Sequence, residues 1–441
     1  MSNIRVGIYT RKEIRAVFHG EYKHGEEVIS GEKEICEAGW YIPMNEDCSF
    51  SLMDVTIGID FHWERNETQT FKGSLEVMRA KNGELTAVNV LDIEDYLQSV
   101  ISSEMSATSH MELLKAHAVI SRSWALCKIQ RSLEESAFAC QESEGKRICW
   151  YGSEPHEGFD VCADDHCQRY QGLRAKDHKN AIKAVQETKG EVLCQLGVRS
   201  EELGVKEYEI CDARFYKCCG GVTEQFETCW EDTHFDYLVK VEDFPKERRV
   251  ETSLMKCEAL NKGERRNDLT TEEGARAWIL SSPEAFCNTS DKKILNQVLN
   301  DYDQETIDFY RWKVSYTTNQ LSELIRKKSG IDFGEILALE PLKRGVSGRI
   351  YELKIVGSKK TLIVGKELEI RKWLSESHLY SSAFIVEKEN DTFTLYGAGW
   401  GHGVGLCQIG AAVMAEKGYT YKEILAHYYH NTIIVGHSSS D

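Results

Sequence analysis

The sequence predicts an α+β protein in which a helical lobe packs against antiparallel β-rich lobes, with a cleft between them. Three observations predict it. Residues 4–80 break into short alternating runs (RVGIY, AVFHGEY, DVTIGIDFHW, SLEVMRA) separated by glycines and charged turns. Two helical patterns then follow each other closely, DIEDYLQSVISSEM and HMELLKAHAVISRSWALCKIQRSL. After them, strands and helices interleave without the strict βαβ alternation of a doubly wound sheet.

Taken in order, ELTAVNVL (84–91) closes the β-rich start as one more strand. Asp92 is placed to cap the first helix, whose Ile93, Tyr96, Leu97, Val100 and Ile101 recur at helical spacing. Ser109 is placed to cap the second, with Met111, Leu114, Ala118, Ser121 and Ala125 along one face. Residues 136–180 are rich in Cys, His, Asp and Gly and read as loop, until DHKNAIKAVQETKGEVL gives a helix running into a strand. YEICDARFYKCCGGVTE reads as β followed by a Gly-Gly turn, and the charged stretch 250–310 as helical. RWKVSYTTNQLSELIRKKSG is a strand and a helix; GRIYELKIVGSKKTLIVGKELEIRKWL is a hairpin turning near Gly357–Lys360 and entering a helix. Residues 383–397 supply two further strands, GWGHGVGLCQIGAAVMAEKG a glycine-rich loop entering a helix, and HSSSD a polar tail.

Composition narrows the function classes. A formal net charge of −17 repels phosphate backbones and anionic lipid, so nucleic-acid binding is not expected. No stretch approaches the roughly 18 apolar residues of a membrane helix. The start, MSNIRVGIYTRKEIRAVF, has no apolar run of signal-peptide length, which predicts a cytoplasmic chain. The 15 cysteines are odd in number and scattered, a pattern of reduced thiols, some buried and some ligating metal, rather than of a secreted disulfide framework.

Several constellations carry chemistry. Glu104, in SSEMSATSH between the two helices, is either an ordinary solvated glutamate or a partly desolvated general acid, since burial raises a carboxyl pKa. His156, Cys162, His166 and Cys167, spaced H-x5-C-x3-H-C, are four borderline-soft donors suited to a closed, structural Zn²⁺ site pinning a loop; incidental His and Cys are the alternative. Asp160, Asp164 and Asp165 are available to accept imidazole N–H groups. Cys218–Cys219 before Gly220–Gly221 fits no usual zinc spacing and reads as buried or cleft-lining thiol. In GWGHGVGLCQIGA (399–411) the glycines permit positive φ or close backbone approach, either as a sharp structural turn or to present His402 and Gln408 to a cleft.

Together these segments resemble the SpoIID/LytB family, named after stage II sporulation protein D and the LytB amidase enhancer. VNVLDIEDYLQSVISSEMSATSHMELLKAHAVISRSWAL is similar to the family's opening block, and ETKGEVL, YKCCGGVTE, YLVKVED, RGVSGRIYELKIVG, ELEIRKWL and GWGHGVGLCQIGAAVMAEKGYTYKEILAHYYHNT follow in order. The resemblance spans roughly residues 84–435. The strand pattern gives a β-rich region at 1–83 and the polar composition a tail at 437–441, and the resemblance implies a SpoIID-like catalytic region at 84–436 with a variable insert near 250–310. Ser106, His117 and Ser123 stand where the family usually has Pro, Gln and Thr, whereas Glu104 and Arg122 remain in register.

The resemblance implies cleavage of peptidoglycan glycan strands, with Glu104 as catalytic acid and the His156, Cys162, His166, Cys167 set as a zinc site found in some members. Arg122, Tyr216, Lys217, His402 and Gln408 are the expected substrate-binding residues. A lytic transglycosylase needs one carboxyl, which protonates the glycosidic oxygen and then accepts the proton of the muramyl 6-hydroxyl, giving a 1,6-anhydro sugar; ordinary glycosidases use two. Because some members are amidase enhancers, a non-catalytic enhancer or glycan-binding module stays open, as does a hydrolase of another amino-sugar glycan. The expected partners are glycan strands or soluble wall fragments, and an amidase. Family members usually act outside the cytoplasmic membrane, against the cytoplasmic expectation.

Overall fold

The computed structural model describes residues 3–58, 64–106, 109–131, 139–151, 156–164, 167–173, 179–196, 208–245, 268–298 and 308–436. The architecture is mixed α+β and β-rich, as expected. The N-terminal region builds one twisted sheet of nine described strands, in the order Val161–Cys162, Asn3–Arg11, Leu85–Asp92, Ser74–Arg79, Gly39–Pro43, Ile14–His24, Ser49–Ile57 and Arg65–Lys72, with Glu27–Ile35 paired to Ile14–His24. Alternation in these strands sends Ile4, Val6, Ile14, Ala16, Phe18, Phe50, Leu52 and Phe71 into the core. The expected boundary at 83 falls between two neighbouring strands of this sheet, because Leu85–Asp92 pairs with both Asn3–Arg11 and Ser74–Arg79.

The helices are α1 (Ile93–Glu104), α2 (Met111–Arg131), α3 (Lys179–Glu187), α4 (Glu272–Ser281), α5 (Lys292–Val298), α6 (Thr318–Ser329), α7 (Glu367–Trp373), α8 (Gln408–Glu416) and α9 (Tyr421–Tyr428). Asp92 caps α1 by accepting the Glu94 N–H at 2.8 Å, and the five apolar residues picked out by spacing are all buried. The second helix departs from expectation twice. His110 Nδ1, not Ser109, meets the Glu112 N–H, while the Ser109 hydroxyl donates to Gln297 O at 2.7 Å. And α2 has no solvent face over its middle turns: Leu113, Ala116, His117, Val119, Ser121 and Arg122 are all buried. It is the central helix, packed by α1, α3, α8, α9 and the strand Glu191–Leu196. A helix enclosed on all sides is buried whatever its pattern.

Beyond α3 the sheets are smaller. Glu191–Leu196 lies between Tyr208–Ile210 and the final strand Thr432–Gly436, bringing the two ends of the helical lobe together. A second apolar core gathers Trp312, Leu321, Ile325, Phe333, Ile336, Leu353, Trp373 and Leu395. Around it stand Arg311–Thr317, Phe384–Glu389 and Thr392–Ala398 as one sheet, and Ile336–Arg344, Ile350–Gly357 and Thr361–Gly365 within another. The hairpin turn is where the sequence places it, with Gly357 N bonded to Lys360 O.

The stretch 136–180 is less loop-like than expected. Ala139–Ser143 and Lys146–Trp150 form a hairpin, and Lys146–Trp150 adds in parallel to Thr361–Gly365. Short charged strands of this kind are completed by a neighbouring sheet rather than by their own pattern. A disulfide, Cys140–Cys149, joins them across a directly opposed pair. Most of the other described cysteines are buried. In the insert, α4 and α5 are helical as expected; residues 250–267 and 299–307 lie outside the described residues, as does the tail. Among the described residues no helix is long and apolar enough to cross a membrane.

Candidate functional site

Glu104 is the last residue of α1 and is 8% exposed. The chain turns sharply after it. Ser106 N donates to Gln297 O at 3.0 Å and His110 N to Gln297 Oε1 at 2.9 Å, so the turn is fastened to the C-terminal end of α5. Over the carboxyl runs the segment 167–170. Arg169 N donates to Glu104 Oε1 at 3.3 Å, Tyr96 Oη bonds Gln168 Oε1 at 3.2 Å, and the Tyr170 ring stacks on Tyr96 with centroids 5.3 Å apart.

The same segment begins in the Cys/His loop. His156, Cys162 and Cys167 converge, with their donor atoms all within 4.8 Å of one another and His156 Nε2 3.1 Å from Cys167 Sγ. Val161–Cys162 is held by parallel pairing to Val6 and Gly7 at the edge of the N-terminal sheet. Burial acts to raise the Cys167 thiol, but hydrogen bonding from Cys162 and the nearby Lys128 ammonium outweigh it and leave the thiol below its usual range. The donor set is one imidazole and two sulfurs, which suits Zn²⁺; His166, the fourth expected ligand, lies outside the described residues. Sequence spacing treats Glu104 and this loop as separate features. The structure links them through one segment, since Arg169, two residues after Cys167, donates its N–H to Glu104.

The expected binding residues gather elsewhere. Phe215–Tyr216 pairs in parallel with Leu406–Cys407, which sets Tyr216 and Lys217 beside the glycine-rich loop and the start of α8. His402 Nε2 faces Phe215 O at 3.1 Å and Nδ1 accepts the Val404 N–H at 3.1 Å, an arrangement that requires the neutral ring. Burial, then the Arg214, Arg371 and Arg349 guanidinium groups, hold its pKa well below the ordinary value. Gln408 Nε2 is 3.1 Å from His117 Nε2, and His117 Nδ1 is 3.1 Å from Ser121 Oγ. Burial and the Lys217 ammonium push the His117 pKa down from 6.5 to about 3. Lys217 Nζ donates to Val298 O at 2.8 Å, so α5 is gripped by Lys217 on one side and by the Glu104 turn on the other.

Arg122 is 1% exposed, and its guanidinium is committed to a bidentate pair with Glu94 (2.8 and 2.7 Å) and to Glu191 O at 2.9 Å. That is an architectural set of bonds tying α1 to α2 and the following strand. The glycine-rich loop works largely by close approach. A Cβ on Gly403 would stand 2.4 Å from the Arg349 guanidinium carbon, and one on Gly405 2.0 Å from Arg214 O, each at a φ above +80°. A groove of about 660 Å³ lined by Asp92, Glu94, Asp95, Gln98, Gln186 and Lys189, among others, follows the N-terminal half of α1; Glu104 does not line it.

Two features escape a reading of spacing. Glu224 is fully buried and accepts from Gln225 N, Val346 N, Ser347 N, Ser347 Oγ and Thr228 Oγ. Burial raises its pKa, against the pull of those donors and of Arg349. Cys219, Asp243, Cys287 and Cys407 meet in the interior. The adjacent Cys218–Cys219 pair was the one available signal for the second, because its partners come from distant segments.

A family profile described as stage II sporulation protein matches residues 81–194, the segment that holds Glu104, Arg122 and the Cys/His loop. The amidase enhancer of Bacillus subtilis is 24% identical over 354 residues, covering 77% of this chain and 40% of that protein. The stage II sporulation protein D of Bacillus subtilis is 40% identical over 73 residues, 17% of this chain and 21% of that protein.

The chain thus carries a stage II sporulation protein (SpoIID) match over residues 81–194 and is similar to proteins of the SpoIID/LytB family.

A second profile, a domain of unknown function (DUF8618), matches residues 224–405 of the chain. An uncharacterized protein of Brachyspira hyodysenteriae is 25% identical over 359 residues, covering 81% of this chain and 70% of that protein. Tyr216, Lys217 and Gln408 fall outside both profile matches, on the two sides of the 224–405 segment.

Proposed function

We propose that this chain acts on the cell wall by cleaving peptidoglycan glycan strands as a lytic transglycosylase, with Glu104 as its general acid and base. The observation that carries the reading is the setting of Glu104, a nearly buried carboxyl at a helix end with one oxygen held by the Arg169 N–H. With Oε1 held, Oε2 carries the proton. It protonates the glycosidic oxygen, the C1–O bond breaks through an oxocarbenium-like state, and the muramyl 6-hydroxyl attacks C1. The proton of that hydroxyl passes to Glu104, which restores the acid, and the product is a 1,6-anhydro sugar; no water is consumed.

A single carboxyl suits α1. Its other acids, Glu94 and Asp95, lie in the first turn, about 14 Å along the axis from Glu104 at ~1.5 Å per residue. That exceeds the roughly 6.5–9.5 Å separation of an inverting carboxylate pair, and Glu94 is already paired with Arg122. His156, Cys162, His166 and Cys167 would hold Zn²⁺, whose chemistry here is structural: it closes the loop that lays the Arg169 N–H on Glu104. The extent of the match to a protein named amidase enhancer supports a second reading, stimulation of an amidase without glycan cleavage.

Mass spectrometry of glycan strands stripped of stem peptides, incubated with the protein, tests the reading. The wild-type chain should release anhydro-muramyl ends, and Glu104→Gln should fold normally but lower their yield by about 10²–10⁴-fold, the usual scale of general acid–base catalysis. Equal yields from both proteins would overturn the role of Glu104. No anhydro product from the wild type, with amidase activity raised equally by both proteins, would establish the enhancer reading instead.

A further inference from the structure

We propose that Cys219, Cys287, Cys407 and Asp243 form a second, buried Zn²⁺ site that staples the 224–405 segment to the rest of the chain. This site is independent of the glycan-cleaving reading and distinct from the Cys/His loop.

The geometry is that of a closed four-ligand site. The three sulfurs and one carboxylate oxygen lie within 4.8 Å of one another, and all four residues are buried. Cys219 Sγ is 3.2 Å from Cys287 Sγ and 3.3 Å from Asp243 Oδ2. Sulfurs bound to one zinc at about 2.3 Å stand about 3.8 Å apart in a tetrahedron, so one ion fits among them with small shifts. Soft thiolates select zinc over calcium or magnesium, which take oxygen donors.

Burial raises the Cys219 and Cys287 thiols, but backbone N–H groups face two of the three sulfurs. Cys219 Sγ receives the Gly221 N–H at 3.3 Å; Cys407 Sγ receives those of Cys219 at 3.2 Å and Gly410 at 3.4 Å. Hydrogen bonds to the charged form favour that form. The carboxylate is oriented from behind, as ligating carboxylates are: Asp243 Oδ1 accepts from Tyr428 Oη at 2.8 Å and Oδ2 from Cys287 N at 3.1 Å. Arg311, which donates to Gly220 O at 3.0 Å, brings positive charge next to Cys219.

A disulfide between Cys219 and Cys287 is the competing arrangement. It would use two of the sulfurs and leave Cys407 and Asp243, which converge on the same point, outside the linkage. A metal uses all four. The ligands also fall where a staple is needed. Cys219 and Cys407 flank the 224–405 match on either side, while Asp243 and Cys287 come from within it. Binding free energy at such a site is folding free energy, because the ligands are dispersed in the unfolded chain.

Zinc content and zinc-edge X-ray absorption test the proposal. In a Cys162→Ser/Cys167→Ser background, which silences the loop, one zinc per chain should remain, with three sulfur ligands and one oxygen, and adding Cys287→Ser should release it. If either variant fails to fold, the unmodified chain supplies the second measurement. The loop offers two sulfurs and the buried set three, so an average above two sulfurs per zinc requires the buried site. An average of two or fewer, zinc absent from the folded loop-silenced protein, or a Cys219–Cys287 disulfide in non-reduced peptide maps would overturn it.

Discussion

The two cysteine-rich regions of this molecule differ in how their members are brought together. His156, Cys162 and Cys167 lie within twelve residues of one another, half-buried at the edge of the N-terminal sheet. Cys219, Asp243, Cys287 and Cys407 span most of the second half of the chain and are enclosed. The first set is a local loop closed on itself next to Glu104. The second joins three loop positions, Cys219, Asp243 and Cys287, to Cys407, the residue before α8. A local closure orients a small region; a long-range closure ties together segments far apart in the sequence within one core. Losing the second should therefore unfold more of the molecule.

The largest expected effect follows from that contrast. Cys287→Ser should cost on the order of 3–5 kcal/mol, the scale of leaving a buried charged group without its partner, and Cys162→Ser clearly less. Denaturant unfolding of both variants checks it. A loop variant as destabilised as the buried one would break the distinction between them.

Activity should reverse the order. Cys162→Ser loosens the segment that carries the Arg169 N–H to Glu104, a hydrogen bond to a charged group worth about 1.5–3 kcal/mol. At a temperature where both variants are folded, anhydro-product formation by Cys162→Ser should fall by about 10- to 100-fold, mainly in kcat, and that by Cys287→Ser should stay near the wild-type rate. Equal losses would mean that the loop does not position Glu104.

The smallest effect is a pH dependence inside the buried region. His117 has a folded pKa of about 3 against an ordinary 6.5, lowered by burial and by Lys217. Between those values the unfolded chain holds a proton that the folded chain does not. This contribution to stability is therefore complete above about pH 6.5 and is lost as pH falls toward 3, at up to about 1.4 kcal/mol per pH unit. His402 acts in the same direction, since its pKa is also held down. His117→Gln keeps a polar partner for Gln408 without a titrating ring. Its stability should fall less steeply between pH 6.5 and 4 than that of the wild type, as read by urea midpoints. Parallel curves would place the titration elsewhere.

Sequence legibility followed the range of the interactions. The Asp92 cap, the buried face of α1 and the Gly357–Lys360 turn were readable because each depends on residues within a few positions. The one-sided reading of α2 was not sustained. Its amphipathic pattern is weak because His117, Ser121, Arg122 and Ser123 are buried along with the apolar residues: His117 meets Gln408, Arg122 pairs with Glu94, Ser123 accepts from Leu193 N, and Ser121 bonds His117 one turn back. The hairpin within 136–180 was missed because its second strand is completed by Thr361–Gly365, more than two hundred residues away.

By itself the sequence determined the α+β class, the resemblance to SpoIID/LytB proteins, the position of Glu104 at the end of α1 and the local Cys/His spacing. All of these are written in short-range pattern or in blocks of motif. Only the tertiary structure decided that Arg122 is committed to Glu94, that the Cys/His loop reaches Glu104 through Arg169, and that the side chains of Cys219, Asp243, Cys287 and Cys407 meet in the interior. Those outcomes depend on which distant strands pair and which buried charges must find partners. Spacing along the chain does not encode either, because burial enforces both only once the core has closed.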